Sequence, residues 1–174
     1  EFLEKFIKKN NISSVLDLGC GDWQFSKKID WTGIQYKGYD IVESVVNNNN
    51  KRYSSNNISF HVFSDNFSKL PEVDLLIVKD VLQHWSKETI DNFIPSLNRY
   101  KFSLITNCVG FDETLNDLVE DGGFSNLDLR LPPYNINLEE VYKYTNKKPW
   151  FLPKLFFKPT WIKKVLLMRG KGSD

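Results

Sequence analysis

Cysteine and histidine are scarce in this chain of 174 residues. Its two cysteines, Cys20 and Cys108, are too few for a disulfide framework. With only two histidines, His61 and His84, no Cys/His metal cluster can be assembled. Long apolar runs are missing too, because no stretch approaches the ~20 residues of a membrane span. We expect no signal peptide, no metal and no membrane partner, and a cytoplasmic location.

An excess of charge of either sign is also absent. The chain carries 23 basic and 22 acidic side chains, which gives a formal net charge of +1. Its lysine pairs, such as Lys27-Lys28 and Lys163-Lys164, are scattered and are typical of solvated faces. The overall electrostatic signature of a nucleic-acid-binding protein is therefore missing. Nucleic acid is therefore not the expected partner.

The composition is that of a globular domain. Hydrophobic residues make up 41% of the chain and charged residues 26%. A chain of this length can bury a sizeable core and fits a single domain, residues 1–174. It begins at Glu1 instead of Met, which is compatible with a segment cut from a longer protein with further domains.

Apolar runs typical of buried strands alternate with helical patterns along the chain. The alternation predicts parallel pairing with right-handed crossovers, and hence an α/β fold, a doubly wound three-layer sandwich. Between Gly110 and Trp161 the pattern weakens, and we interpret this stretch as a long, partly structured excursion. Strands are predicted at residues 14–18, 36–40, 58–63, 73–78, 103–108 and 164–168. Helices are predicted at the amino terminus, over residues 23–29 and 44–53, and from Ser86 to an early end or kink at Pro95.

The first strand runs directly into a turn that contains Asp17, Gly19 and Gly21, two residues apart. Glycine is required where the backbone passes close to a ligand, because a Cβ would occupy the ligand's space. The spacing differs from the dinucleotide fingerprint G-x-G-x-x-G, whose last glycine would fall at Gln24. Trp23 stands where a third small residue might be expected. The turn therefore predicts a ligand site at the end of this strand.

Polar side chains end the next strands at the same edge of the sheet, where ligands of open α/β sheets bind. Asp40 lies 21 residues after Gly19, near the offset of about 20 at which an acid accepts hydrogen bonds from both ribose hydroxyls. Asp65 ends the third strand and could accept from an adenine amino group. Asp80 follows the fourth strand, with His84 just beyond it.

These four strand ends, spread over about residues 12–108, resemble the class I S-adenosylmethionine-dependent methyltransferases, whose first motif is acid-x-Gly-x-Gly. The sequences Gly-Cys-Gly-Asp-Trp-Gln-Phe-Ser and Val-Lys-Asp-Val-Leu-Gln-His-Trp look like a bacterial-type methyltransferase-domain subfamily of undefined substrate. Trp23 departs from the general pattern and puts the contacts around the methionine tail in question.

The resemblance implies S-adenosylmethionine as cofactor and a mostly parallel, seven-stranded, Rossmann-like sheet. It places the ribose at Asp40, the adenine at Asp65, and the methionine end and reacting centre near Asp80. The implied cofactor-binding set is Asp17, Gly19, Cys20, Gly21, Trp23, Asp40, Ile41, Asp65, Asn66, Phe67, Lys79 and Asp80.

Transfer of a methyl group to a hydroxyl needs a base that removes the proton as attack proceeds. His84, supported by Asp80, is the candidate pair at a strand end. No N-P-P-[YF] sequence, typical of amino-methylating nucleic-acid enzymes, follows the fourth strand, which favours O-methylation. In the excursion, Arg130 could clamp a phosphate or carboxylate, and the ring of Tyr134 could stack on a sugar face. With the resemblance and the balanced charge, these residues make a small molecule or a saccharide the expected partner.

Structural roles and other functions stay open for these residues. Asp40 and Asp65 could be turn acids, Asp80 a helix N-cap or an ion-pair partner of Lys79, and His84 a packed or capping side chain. An RNA methyltransferase whose RNA-binding domain lies outside this segment is a competing function. The others are a non-catalytic cofactor-binding or scaffold domain and a nucleotide-linked oxidoreductase, which the missing third glycine disfavours.

Overall fold

The computed structural model describes residues 1–110, 116, 118–145 and 161–170. Within them, seven strands form one sheet in the order β3-β2-β1-β4-β5-β7-β6. Neighbours among β1 to β5 are parallel, and β7 is antiparallel to both β5 and β6. The predicted α/β fold with a mostly parallel seven-stranded sheet is confirmed. The strands are β1 (Ser14–Leu18), β2 (Gln35–Asp40), β3 (Ile58–Val62), β4 (Leu75–Lys79), β5 (Phe102–Val109), β6 (Glu139–Thr145) and β7 (Ile162–Arg169).

Three α-helices flank the described part of the sheet: α1 (Phe2–Lys9), α2 (Glu43–Tyr53) and α3 (Lys87–Phe93). The Ser86 side chain caps α3 by accepting a hydrogen bond from the Thr89 N–H. After Phe93 the chain tightens into a 3₁₀ helix, Ile94–Arg99, at Pro95, which has no N–H to donate. The predicted cap and the predicted early end of this helix are both confirmed.

Successive residues of the central strands enter two different cores, one on each face of the sheet. Val15 and Ile77 pack on the face that carries α1 and α2, which we call the α1 side. Leu16 and Val78 pack on the opposite face with Phe93, which we call the α3 side. Side chains alternate between faces along a strand, so a strand covered on both sides is apolar throughout.

The helix predicted over residues 23–29 is wrong. Among these residues the structure has only a short 3₁₀ turn, Ser26–Lys28. Trp23 has a positive φ of 61°, a left-handed conformation that does not continue a right-handed helix. This conformation accompanies burial of the indole, which is 6% exposed and contacts the rings of Tyr36, Tyr53 and Phe60. Packing of one large side chain thus overrides the helical pattern.

Strand β6 lies in the stretch between Gly110 and Trp161 that was interpreted as an excursion. The hydrophobic pattern of the sequence did not predict this strand. It pairs with β7, and its register shifts between Glu140 and Tyr142, which interrupts the alternation of a regular strand. Residues 111–115, 117 and 146–160 of the same stretch lie outside the described residues. No helix in the described ranges is long and apolar enough to cross a membrane.

Candidate active site

The glycine turn after β1 is tied to the end of β2 by hydrogen bonds. The Gly21 N–H donates to Asp40 Oδ2 at 2.9 Å, and the Val42 N–H donates to Asp40 Oδ1 at 3.0 Å. Asn49 of α2 holds the turn from the other side by donating to the Gly21 carbonyl at 2.7 Å. Each carboxylate oxygen of Asp40 keeps further capacity as an acceptor. The half-buried carboxylate predicted for the ribose is therefore fixed in place.

The two glycines of the turn are needed for different reasons. Both have positive φ, +77° at Gly19 and +54° at Gly21. A Cβ on Gly19 would lie 2.2 Å from Cγ2 of Val81, whereas a Cβ on Gly21 would meet nothing within 4 Å. The close approach at Gly19 is therefore to the protein itself, at the residue after Asp80. Next to Gly21, in contrast, there is open space that a ligand could occupy.

Gly19→Ala is expected to lower the free energy of unfolding by roughly 2–4 kcal/mol, because overpacking and a left-handed alanine both contribute. The matched control is Gly33→Ala, since Gly33 also has a positive φ of 75° but no neighbour within 4 Å of an added Cβ. The control should lose only about 1 kcal/mol. Urea unfolding measures both variants. Equal losses would show that Val81 does not constrain Gly19, and Val81→Ala should partly rescue Gly19→Ala.

Three other residues of the predicted cofactor-binding set, Asp17, Cys20 and Trp23, contact the protein interior next to the turn. Asp17 is buried, and its Oδ2 accepts from the hydroxyls of Tyr36 at 2.5 Å and Ser26 at 2.8 Å. Burial raises the pKa of this carboxyl, and the two hydrogen bonds oppose the rise. Cys20 is partly buried and Trp23 buried in the α1-side core. In these contacts Asp17, Cys20 and Trp23 hold the turn, and direct cofactor contact stays a prediction for them.

A cavity of about 860 Å³ opens on the α3 side, beyond the ends of β2 and β3. The Ile41 side chain is 67% exposed there, and Asn66 caps a 3₁₀ turn, Phe67–Lys69, by accepting from the Ser68 N–H at 3.1 Å. Asp65 has a left-handed φ of 55°. The cavity brings together Ile41, Asp65, Asn66 and Phe67 of the predicted cofactor set with His84.

His84 is oriented by a backbone carbonyl. Its Nδ1 lies 2.7 Å from the Gly123 oxygen, which can only accept, so we assign the ring proton to Nδ1. In the neutral ring Nε2 is then an acceptor, and Nε2 of Gln83 donates to it in a long hydrogen bond of 3.4 Å. The loop is pinned in turn, because the Gly122 N–H donates to the His84 carbonyl at 2.8 Å. This is the tautomer that a general base needs.

Asp80 bonds to lysines and not to the histidine. Its Oδ2 accepts from Lys163 Nζ at 2.7 Å and from Lys79 Nζ. Burial acts to raise the pKa of Asp80, but the hydrogen bonds and charges of Lys163 and Lys79 outweigh it and lower the pKa. No hydrogen bond between Asp80 and His84 is found in the described part of the chain. An ionised carboxylate held by two ammonium groups is a weak base, so His84 stands without the predicted carboxylate support.

Asp80 also has the features of a strained site. Its φ is +61°, unusual for a residue with a side chain. Within the described residues its Oδ1 is buried and has no hydrogen-bond partner. A buried unpaired carboxylate oxygen costs free energy, and such costs concentrate where a ligand binds.

The residues predicted to bind the acceptor make other contacts. Arg130 donates from Nε and Nη2 to the two carboxylate oxygens of Asp128, at 2.9 and 2.7 Å, and from Nη2 to Glu140 at 3.0 Å. Tyr134 packs against the α3-side core, with the Lys87 ammonium 6.0 Å from its ring centroid. The structure does not bring either residue to the α3-side cavity, and their role toward an acceptor stays a prediction.

Two contacts of the site were not predicted from the sequence. Gly123 supplies the carbonyl that orients His84 from 39 residues away, and Lys163 bonds to Asp80 across 83 residues. The Gly122-Gly123 pair was a visible turn signal, but nothing in it pointed to a histidine. No group of three or more His, Cys, Asp or Glu side chains that could hold a metal occurs among the described residues.

Comparison with known proteins adds a family match and several similar folds. Residues 16–100 match a family model described as a methyltransferase domain. TehB from Haemophilus influenzae is 19% identical, with a TM-score of 0.65, over 96% of this chain and 60% of its own. The N-terminal domain of EvdMO1, solved with S-adenosylhomocysteine and D-fucose, is 12% identical, with a TM-score of 0.66, over 95% of this chain and 80% of its own.

Human N-acetylserotonin methyltransferase, solved with S-adenosylmethionine, is 18% identical, with a TM-score of 0.60, over 92% of this chain and 48% of its own. The search of the curated proteins returned no match. The chain thus spans about 60% of TehB and about half of the human enzyme. At these identities the likeness shows a shared fold.

Proposed function

We propose that this chain, which carries a class I S-adenosylmethionine-dependent methyltransferase domain, methylates a hydroxyl group of a sugar, a glycan or another small molecule. The observation that carries the proposal is the fixed Asp40 carboxylate, next in the chain to Ile41, which lines the same cavity as the oriented His84. A cofactor site and a base for the acceptor proton thus lie at one edge of the sheet. A cytoplasmic location is a prediction that accompanies this proposal.

The residues at the ends of β1, β2 and β3 fit the cofactor. Gly21 leaves open space above the turn, and the Asp40 oxygens can accept further hydrogen bonds, as two ribose hydroxyls require. The exposed Ile41 and the ring of Phe67 offer apolar surface to an adenine, and Asp65 offers an acceptor to its amino group. When bound, the cofactor supplies the electrophilic methyl group, so the protein has chiefly to position the acceptor.

The end of β4 suits the methionine part of the cofactor. Asp80 Oδ1 is buried without a partner within the described residues, and a cofactor ammonium group is a donor that would satisfy it. Lys79, the preceding residue, bonds to Asp80 Oδ2 and lines a different cleft, on the α1 side, so its contact with the cofactor stays a prediction outside this proposal.

The lining of the α3-side cavity favours an acceptor rich in hydroxyl groups. Thr89, Asn92 and Asp121 offer polar atoms there, and Trp85 contributes an aromatic ring. Polar groups of this kind exchange hydrogen bonds with hydroxyls, while aromatic rings cover the apolar face of a sugar. The presence of D-fucose in the EvdMO1 structure supports a sugar by analogy of fold alone.

The proposal is tested by incubating the protein with labelled S-adenosylmethionine and three acceptor classes: saccharides, nucleotide sugars and RNA. We expect label in an alkali-stable methyl ether of a saccharide or nucleotide sugar. Robust transfer to RNA, with none to any saccharide, would contradict the acceptor class. No transfer to any of them, with intact cofactor binding, would favour the scaffold alternative.

In the same preparations Asp40→Ala should bind S-adenosylhomocysteine at least tenfold more weakly by calorimetry. Hydrogen bonds to a charged group contribute about 1.5–3 kcal/mol each. Asp30→Ala is the matched control, because Asp30 also accepts from the backbone N–H two residues on, that of Thr32, at 3.0 Å. Unchanged binding in Asp40→Ala would refute the ribose assignment.

A further inference from the structure

A second cleft, on the α1 side, has no role in the proposed reaction. It has a volume of about 530 Å³, within the range of about 300–1,000 Å³ of small-molecule sites. Its floor is the α1-side face of the sheet at Ile77 and Leu104. Its walls include Phe25 from the β1–β2 connection and Tyr142 from β6. The cleft is therefore largely apolar.

Aromatic side chains are unusually accessible around this cleft. Phe25 and Tyr142 are each 47% exposed. Tyr142 stacks on Phe2 of α1, with ring centroids 5.0 Å apart and an interplanar angle of 14°. Exposed aromatic surface that converges on a cavity marks a binding site, and flat ring faces favour a flat partner.

One end of the cleft carries an excess of positive charge. Lys79 and Lys163 both line it, and both donate to the same oxygen, Oδ2 of Asp80. Each ammonium group has three N–H donors, so each keeps donors beyond the one given to Asp80. Glu1, the remaining acid in the described lining, is bonded at the rim to Lys5 at 2.8 Å. Two cations thus face one carboxylate at the end of an apolar cleft.

We infer that this cleft binds a planar, largely apolar molecule that carries an anionic group. The ring system packs against Phe25 and Tyr142, and the anion accepts hydrogen bonds from Lys79 and Lys163. The site adjoins the cofactor turn, because Val81, two residues after Lys79, would meet a Cβ on Gly19. The inference does not depend on the proposed reaction and can be tested without the cofactor.

The test uses three probes of one shape: 2-naphthoate, 2-naphthyl phosphate and the neutral 2-naphthylmethanol. Their affinities are measured by calorimetry or ligand-observed NMR. At least one anion is expected to bind about tenfold or more tightly than the alcohol, and the two anions separate a carboxylate ligand from a phosphate ligand. Equal affinities, or no binding at millimolar concentration, would overturn the inference.

Variants locate the binding. Lys163→Met should remove the preference for the anion. Lys143→Met should keep it, because Lys143 pairs with Lys164 and lies one residue from Tyr144, on the opposite face of the same hairpin. Phe25→Ala should weaken all three probes. An unchanged preference in Lys163→Met would overturn the inference, and should that variant not fold, the probe ranking in the unmodified protein decides.

A final arm adds saturating S-adenosylhomocysteine before the anionic probe. We expect the probe to bind in its presence, because the adenosyl end is assigned to the α3 side. Displacement of the probe would show that the cleft belongs to the methionine part of the cofactor and would refute a separate site. Failure of S-adenosylhomocysteine itself to bind would count against the proposed function and leave the probe result standing.

Discussion

His84→Ala is expected to slow methyl transfer about 10²-fold or more, while S-adenosylhomocysteine binds as before. The Gly123 carbonyl holds the Nδ1 proton, which leaves Nε2 as the acceptor for the proton of an attacking hydroxyl. Removing the imidazole removes that acceptor and leaves the Asp40 contacts intact. Single-turnover rates and calorimetry separate the chemical step from binding.

His61→Ala is the matched control for the histidine. His61 lies on β3, stacks on Tyr39 and does not line the α3-side cavity. This control should keep its turnover. Near-normal turnover in His84→Ala would show that His84 is structural and that the site only positions the acceptor. The pH–rate profile offers a second check, since an ionisation present in the unmodified protein should be missing from His84→Ala.

Asp128→Ala is expected to lower the free energy of unfolding by about 3–5 kcal/mol. Asp128 is 4% exposed and receives hydrogen bonds from Arg130, and the Lys164 ammonium lies 3.5 Å from its Oδ2. Without the Asp128 carboxylate, these two cations lose one of the negative charges beside them and keep Glu140, 3.0 Å from Arg130 and 3.7 Å from Lys164. Asp91→Ala removes an exposed ion pair with Lys87 and should cost less than about 1 kcal/mol. Similar losses in the two variants, measured in urea, would contradict the burial argument.

The Asp128 carboxylate should also make the free energy of unfolding depend on pH in the acid range. Burial acts to raise the pKa of Asp128, but the hydrogen bonds and charge of Arg130 and the charge of Lys164 outweigh it and lower the pKa. A lowered pKa in the folded state means that this stabilisation is complete above the unfolded value of about 3.9. It is lost as the pH falls from there through the folded value. Asp128→Ala should lack that part of the acid dependence, and parallel curves would exclude the assignment.

The strands that the sequence predicted correctly include the central ones, in which a mostly apolar run is followed by polar residues. In β4 and β5 nearly every side chain is buried, so composition alone identifies them. The hydrophobic pattern is weaker in a strand whose side chains are buried only through pairing with a strand far along the chain. In β6 most side chains are exposed and a register shift breaks the alternation, so its pairing with β7 could not be inferred.

The site divides in the same way. Asp40 and Asp65 could be predicted to lie at the same edge because chain order alone brings the ends of parallel strands together there, and their cofactor roles stay predictions. The contacts of Arg130 and His84, in contrast, depend on the tertiary structure. No partner of the Arg130 guanidinium could be predicted from the sequence. In the structure it donates hydrogen bonds to Asp128 and Glu140. Asp80 was expected to orient His84, but the backbone carbonyl of Gly123 does so. Every residue has a backbone carbonyl, so no sequence motif could have identified this one.

The pairing of β5 with β7 has a consequence for synthesis. All eight side chains of β5 are buried, and along one edge it is paired by β7, with Phe102 opposite Arg169. On the ribosome that edge stays open until residues 162–169 have emerged, more than fifty residues after β5 itself. An apolar strand with an unpaired edge is a template for association between chains. The interval between these two strands is therefore when a nascent chain most needs a chaperone.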